Sequence, residues 1–170
     1  MDATIEIRPA QPGDGAGLAV SWLESARYYT ALDPQRFQVP SDEGLVEWFD
    51  ELLARPLPSD EVWLVAEVGG HVAGDVQARL ERPVPSAARQ VMRILGQTRL
   101  YVNELGVAEA YRRRGVATRL LTSAERWGRE HGATLVYLDT YAYSPLSVPF
   151  YEHRMGYRRA SITFEKRLEG

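Results

Sequence analysis

The stretch NELGVAEAYRRRGVATRLL, residues 103–121, decides how this chain is read. Its first part belongs to a strand-like run, RLYVNELGV. After a short connection comes the helix-patterned run YRRRGVATRLLTSAERWGREHG, which Gly132 stops. Apolar Val116, Leu120, Leu121, Ala124 and Trp127 recur on one helical face, so Arg112, Arg113 and Arg114 are expected in the first turn. Cationic side chains there oppose the helix dipole, which favours anions at that end by about 0.3 to 1 kcal/mol per charge. Gly115 and Ala117 remove side-chain bulk, so an anion can approach the free backbone N–H groups. These residues alone leave two readings open: a diphosphate site, or a solvated basic helix start.

Working outward from this unit, TLVYLDT carries four successive apolar residues, as expected of a strand covered on both faces. A short helix over about residues 148–155 and a final strand over about 159–167 complete the C-terminal side. On the N-terminal side, residues 4–8 alternate like a strand that Pro9 ends, and residues 14–29 read as helix. Residues 31–40 read as a loop. Ser41 is the expected N-cap of a second helix, which carries Leu45, Val46, Phe49, Leu52 and Leu53 at helical spacing. EVWLVAEV and HVAGDVQARLE flank Gly69-Gly70, a hairpin signal. Residues 82–97 are ambiguous between loop and short helix. The order β-α-α-β-β-β-α-β-α-β describes an α/β fold, a mixed β-sheet flanked by helices with a βαβ crossover in its second half. No repeat, low-complexity tract or linker interrupts it, so residues 1–170 are expected to form a single domain.

Composition narrows the chemistry. The chain is 45% hydrophobic and 25% charged, as in a folded globular protein. A net charge of -3 gives no global attraction to nucleic acid or anionic membrane, and the arginine run is an isolated cluster. No window reaches the roughly 18 apolar residues of a membrane span, and charges at Asp2, Glu6 and Arg8 do not suit a secretory segment, so a cytoplasmic protein is expected. The absence of cysteine excludes a thiolate nucleophile. His71, His131 and His153 lack metal-ligand spacing, so no metal site is expected. Gly13-Asp14-Gly15-Ala16-Gly17 reads as a turn before a helix, since it lacks the spacing of a dinucleotide loop.

Arg112-x-x-Gly115-x-Ala117 resembles the acyl-CoA pyrophosphate signature of the GNAT superfamily of N-acetyltransferases, Q/R-x-x-G-x-G/A. Farther on, SPLSVPFYEHRMGYRR, residues 144–159, resembles the family's second signature, N-x-x-A-x-x-F-Y-E-x-x-G-F. It departs in having Ser144 for the asparagine and one extra residue after Glu152. The likeness covers residues 100–159 and implies a GNAT-like acyl-CoA N-acyltransferase fold with acetyl-CoA as co-substrate. It also implies that the main chain of Leu105, Gly106 and Val107 binds the pantetheine arm. The diphosphate would be held by Arg112, Arg113, Arg114, Gly115, Val116, Ala117 and Thr118, with Ser144 adding a polar contact. Tyr151 matches the family's general acid, and its alternative is an amphipathic core residue with a wet hydroxyl. Glu104 is the candidate for binding the amine and taking its proton, and is equally readable as an exposed strand carboxylate.

Tyr141 and Tyr143, just past the strand-like run TLVYLDT, are candidates for the acceptor pocket, as is Tyr29. Trp22, Tyr28, Phe37 and Trp48 can line it too, although core packing is the expectation for most of these aromatics. The expected activity is transfer of acetyl from acetyl-CoA to a primary amine, of a small molecule first, by direct attack in a ternary complex. The alternatives are a peptide or protein acceptor, and a non-catalytic acyl-CoA sensor. The resemblance leaves a homodimer open, and no residue identifies an interface.

Overall fold

The computed structural model describes residues 4–168. By internal contacts the chain forms two compact units, Met1–Asp139 and Thr140–Gly170.

The first unit is built on a five-stranded sheet of order β1-β2-β3-β4-β5: β1 (Ile5–Pro9), β2 (Glu61–Val68), β3 (His71–Glu81), β4 (Arg99–Val107) and β5 (Leu135–Leu138). The first four strands are antiparallel neighbours and β5 runs parallel to β4. Gly69 and Gly70, both at positive φ, close the β2–β3 hairpin as the two-residue turn requires. Helices α1 (Gly15–Leu32) and α2 (Leu45–Leu53) join β1 to β2. Leu18, Ala19, Leu45 and Phe49 from them are buried with Trp63 and Val65 of β2. Helix α3 (Val116–Glu130) joins β4 to β5 and buries Val116, Leu120, Leu121 and Ala124. It packs closely enough that a side chain at Gly128 would collide with Leu100 of β4.

Several expectations shift. Ser41 does not cap α2: its hydroxyl accepts the Glu43 N–H at 3.2 Å in a turn, and the cap position falls to Gly44 at φ 68. Residues 82–97 hold two short 3-10 turns, Ala87–Arg89 and Arg93–Gly96, tied by a bond from the Val84 N–H to the Leu95 carbonyl at 3.0 Å. β5 is half-buried rather than covered on both faces, because it is the last strand of the sheet.

In the second unit, α4 (Ser147–Pro149) runs directly into a π turn over Phe150–Arg154. The strand expected over residues 159–167 does not form; Ile162 and Phe164 stand exposed, Phe164 at 90%. Alternation fixes the two faces of a strand but not the neighbour that would hydrogen-bond it.

Candidate active site

α3 begins later than its apolar periodicity implies. Arg112, Arg113 and Arg114 lie in a turn before the helix, not in its first turn, because Arg113 adopts φ 61 and Gly115 φ 84. A left-handed conformation is ordinary at Gly115 and costly at Arg113, the one non-glycine residue with positive φ among those described. Arg112 turns back, its Nε–H donating to the Val107 carbonyl at the end of β4 at 3.1 Å, while Arg113 and Arg114 are exposed. No side chain caps Gly115 and no acidic residue occupies the first turn of α3. Val116, Ala117 and Thr118 therefore open the helix with N–H groups that have no intrahelical acceptor. Two exposed guanidinium groups beside such a helix start form an arrangement that an anion fits.

β4 shows two features at its C-terminal end. β5 pairs only with Arg99 to Val102, so no described strand pairs that edge of β4 at Leu105, Gly106 and Val107. Opposite β3, the register passes from Ala78↔Val102 to Gln77↔Glu104, which leaves Asn103 as an extra bulged residue. Side chains alternate along a strand, so without the bulge Glu104 would share the face of Leu100 and Val102. With it, Glu104 joins Tyr101, Gln77 and Trp63 on the face packed by α1 and α2.

On that face lies a cleft of about 470 Å³, whose wall includes Trp22, Trp48, Trp63, Arg55, Glu61 and Glu104. Trp22 and Trp48, for which core packing was the expectation, are 38% and 49% exposed. Tyr29 is not among the lining residues; it packs against Tyr28 and Phe37 at ring distances of 5.2 Å. Behind the cleft Asp75, 5% exposed, accepts the Trp63 indole N–H at 2.9 Å. Burial pushes the Glu104 carboxyl up to about 8, and the neighbouring Asp75 adds to the rise. Asp75 and Trp63 went unnoticed in the sequence, although a carboxylate inside the apolar run of β3 is a signal in itself.

In the second unit, Ser144 is buried and its hydroxyl accepts the Ser147 N–H at 3.1 Å. Tyr151 is half-buried at the start of the π turn, its ring 5.2 Å from Phe150 and 5.9 Å from Tyr157. The extra residue after Glu152 is absorbed by that turn, where the Met155 N–H reaches back five residues to the Phe150 carbonyl at 3.0 Å. Tyr141 and Tyr143 pack edge to face at 5.5 Å, with Tyr143 exposed.

Comparison with known proteins bears on this geometry. Residues 22–157 match the model of the Acetyltransferase (GNAT) family. The BH1408 protein of Bacillus halodurans, in a mutant form, superposes with a TM-score of 0.78 at 20% identity, covering 96% of this chain and 99% of that one. Glucosamine-6-phosphate N-acetyltransferase from Arabidopsis thaliana gives 0.65 at 19% identity over 98% and 99%. Aminoglycoside N-acetyltransferase AAC(6')-Iy, solved with CoA, gives 0.63 at 16% over 100% and 98%. These likenesses speak for the fold. Comparison with curated protein sequences returns no match. The family match spans most of the chain, and on it rests the conclusion that this protein belongs to the GNAT acetyltransferase family and is an acetyl-CoA-dependent N-acetyltransferase.

Proposed function

We propose that the chain acetylates the primary amine of a small molecule seated in the cleft beneath α1 and α2, by direct attack with both substrates bound. The observation that carries this reading is Glu104 in the wall of a cleft that also carries three tryptophans, Trp22, Trp48 and Trp63. A volume of about 470 Å³ suits a small ligand, and the faces of Trp22 and Trp48 suit a cation or an apolar ring. The small-molecule amines in the names of two structural neighbours, an aminoglycoside and glucosamine-6-phosphate, support the same class.

Acetyl-CoA, when bound, supplies the activated acetyl thioester. Exposed Arg113 and Arg114 with the N–H groups of Gly115, Val116, Ala117 and Thr118 hold its diphosphate, and Arg112 braces the turn through the Val107 carbonyl. The main chain of Leu105, Gly106 and Val107 offers its arm the strand edge that β5 leaves unpaired. Ser144 belongs to this set by resemblance, with a hydroxyl already engaged at Ser147.

In the transfer, the amine nitrogen forms a bond to the acetyl carbon as the carbon–sulfur bond breaks. Glu104 takes the proton that the nitrogen sheds. By resemblance to the family signature, the departing sulfur takes one from the Tyr151 hydroxyl. Glu104 can act as a base only when ionised, so kcat/KM for the amine rises with pH through about 8. Glu104→Gln is expected to lower kcat/KM about 100-fold and to remove that rise, with the Kd for acetyl-CoA unchanged. Steady-state kinetics from pH 6 to 10 provide the check, and an unaltered amine KM and pH profile would contradict the assignment.

A further inference from the structure

Asp75 plays no part in the chemistry so far, yet it is the most deeply buried carboxylate beside the cleft. It stands on β3 directly opposite Gly106 of β4, and Glu104 lies two residues along on the same face. Gly106 has no side chain, and the point where its Cβ would sit is 3.5 Å from Asp75 Oδ1 and 3.5 Å from Glu104 Oε1. The two carboxyls thus border one small space, with the Ser21 hydroxyl of α1 3.7 Å from the same point. Asp75 Oδ2 is held from the other side by the Trp63 indole at 2.9 Å, and Trp63 itself lines the cleft.

We propose that Asp75 is a positioning residue of the acetyl-transfer site, fixed by Trp63 so that its carboxyl faces Glu104 across the gap left by Gly106 and tunes the proton that Glu104 exchanges with the amine. The other charged groups around Glu104 are Arg55 after α2, Glu61 of β2 and Arg79 of β3, all in the cleft wall. None of them contributes to the rise at Glu104, whose causes are burial and then Asp75. Two neighbouring carboxylates cannot both ionise cheaply, and the pair retains one proton to higher pH than either group would alone. Burial raises Asp75 as well, to about 6, against the opposing hydrogen bonds from Trp63 and Gln77, so the two carboxyls share the retained proton.

The inference rests on the proposed role of Glu104, and the test separates the two. Asp75→Asn keeps an oxygen for the Trp63 indole and removes the charge. Its kcat/KM for the amine is expected to begin its rise about one pH unit lower. Carboxyl carbon NMR of glutamate-labelled protein reads the same event without activity, the Glu104 signal being the one missing in Glu104→Gln. Its midpoint should fall in Asp75→Asn. Where that variant does not fold, Trp63→Phe takes its place: losing the indole donor makes Asp75 harder to ionise, and the Glu104 midpoint should again fall. An unmoved Glu104 midpoint in the folded variant overturns the pairing. Wild-type kinetics in Glu104→Gln would sink the proposed function instead.

Discussion

Glu104 and Tyr151 divide the proton traffic of the proposed reaction, and each is placed by a local departure from regular geometry. Glu104 reaches the cleft because Asn103 bulges out of β4. Tyr151 lies in the π turn Phe150–Arg154, which takes up one residue more than the family signature carries. Tyr151→Phe keeps the ring that packs on Phe150 and Tyr157 and loses only the hydroxyl. It is expected to lower kcat about 100-fold while the calorimetric Kd for acetyl-CoA stays within about twofold. An unchanged kcat would remove Tyr151 from the mechanism. At this scale the sequence was half legible. Arg112, Gly115 and Ala117 could be read because charge, lack of bulk and spacing all point to an anion. Asp75 could not, because its meaning comes from Gly106 and Glu104, which lie some thirty residues away and meet it only through strand register.

In the proposed site, the turn between β4 and α3 is the element that holds the co-substrate. Apolar periodicity located α3 but not its first residue, since the positive φ values at Arg113 and Gly115 leave no mark on a hydrophobic pattern. The arginines do not sit in the helix and oppose its dipole; they stand ahead of it, where two of them are exposed. Replacing both Arg113 and Arg114 by alanine is expected to weaken acetyl-CoA binding about 10- to 100-fold and to flatten its salt dependence. Calorimetry at two ionic strengths measures both, and wild-type affinity in the double variant would move the diphosphate elsewhere. β5 and the segment over residues 159–167 teach a related lesson. Their apolar residues were visible, but burial and pairing depend on what lies beside a strand, which no local pattern encodes.

For the whole molecule, two ionisable sites bend stability in opposite directions with pH. The guanidinium of Arg8 forks onto Asp14 with two bonds of 2.8 Å, and the Gln11 N–H adds a third at 2.9 Å. Burial alone would raise the Asp14 carboxyl, but these bonds outweigh it and hold the group below its ordinary 3.8. The stability this contributes is present above about pH 4 and is lost as the pH falls further. Glu104 acts the other way. Its folded value of about 8 lies above its ordinary 4.5, so the folded state holds the proton more tightly and stability declines as pH rises from 4.5 through 8. The melting temperature should therefore peak in mildly acidic solution. Asp14→Asn should cost about 2 kcal/mol at neutral pH and weaken the acid limb, while Glu104→Gln should remove the decline above about pH 6 and leave the part that Asp75 contributes below it. Thermal melts from pH 3 to 9 report all three curves, and a wild-type Tm constant from pH 5 to 9 would contradict the environment assigned to Glu104.

The central claim is a reaction: an amine in the tryptophan-lined cleft receives the acetyl group with Glu104 as its proton acceptor. The most direct measurement is thiol release from acetyl-CoA at pH 8.5 over a panel of small primary amines, with mass detection of the N-acetyl product, in wild type and Glu104→Gln. Amine-dependent release matched one to one by product, and reduced about 100-fold in the variant, is expected. Release that no small amine stimulates, from a protein that binds acetyl-CoA, would contradict it.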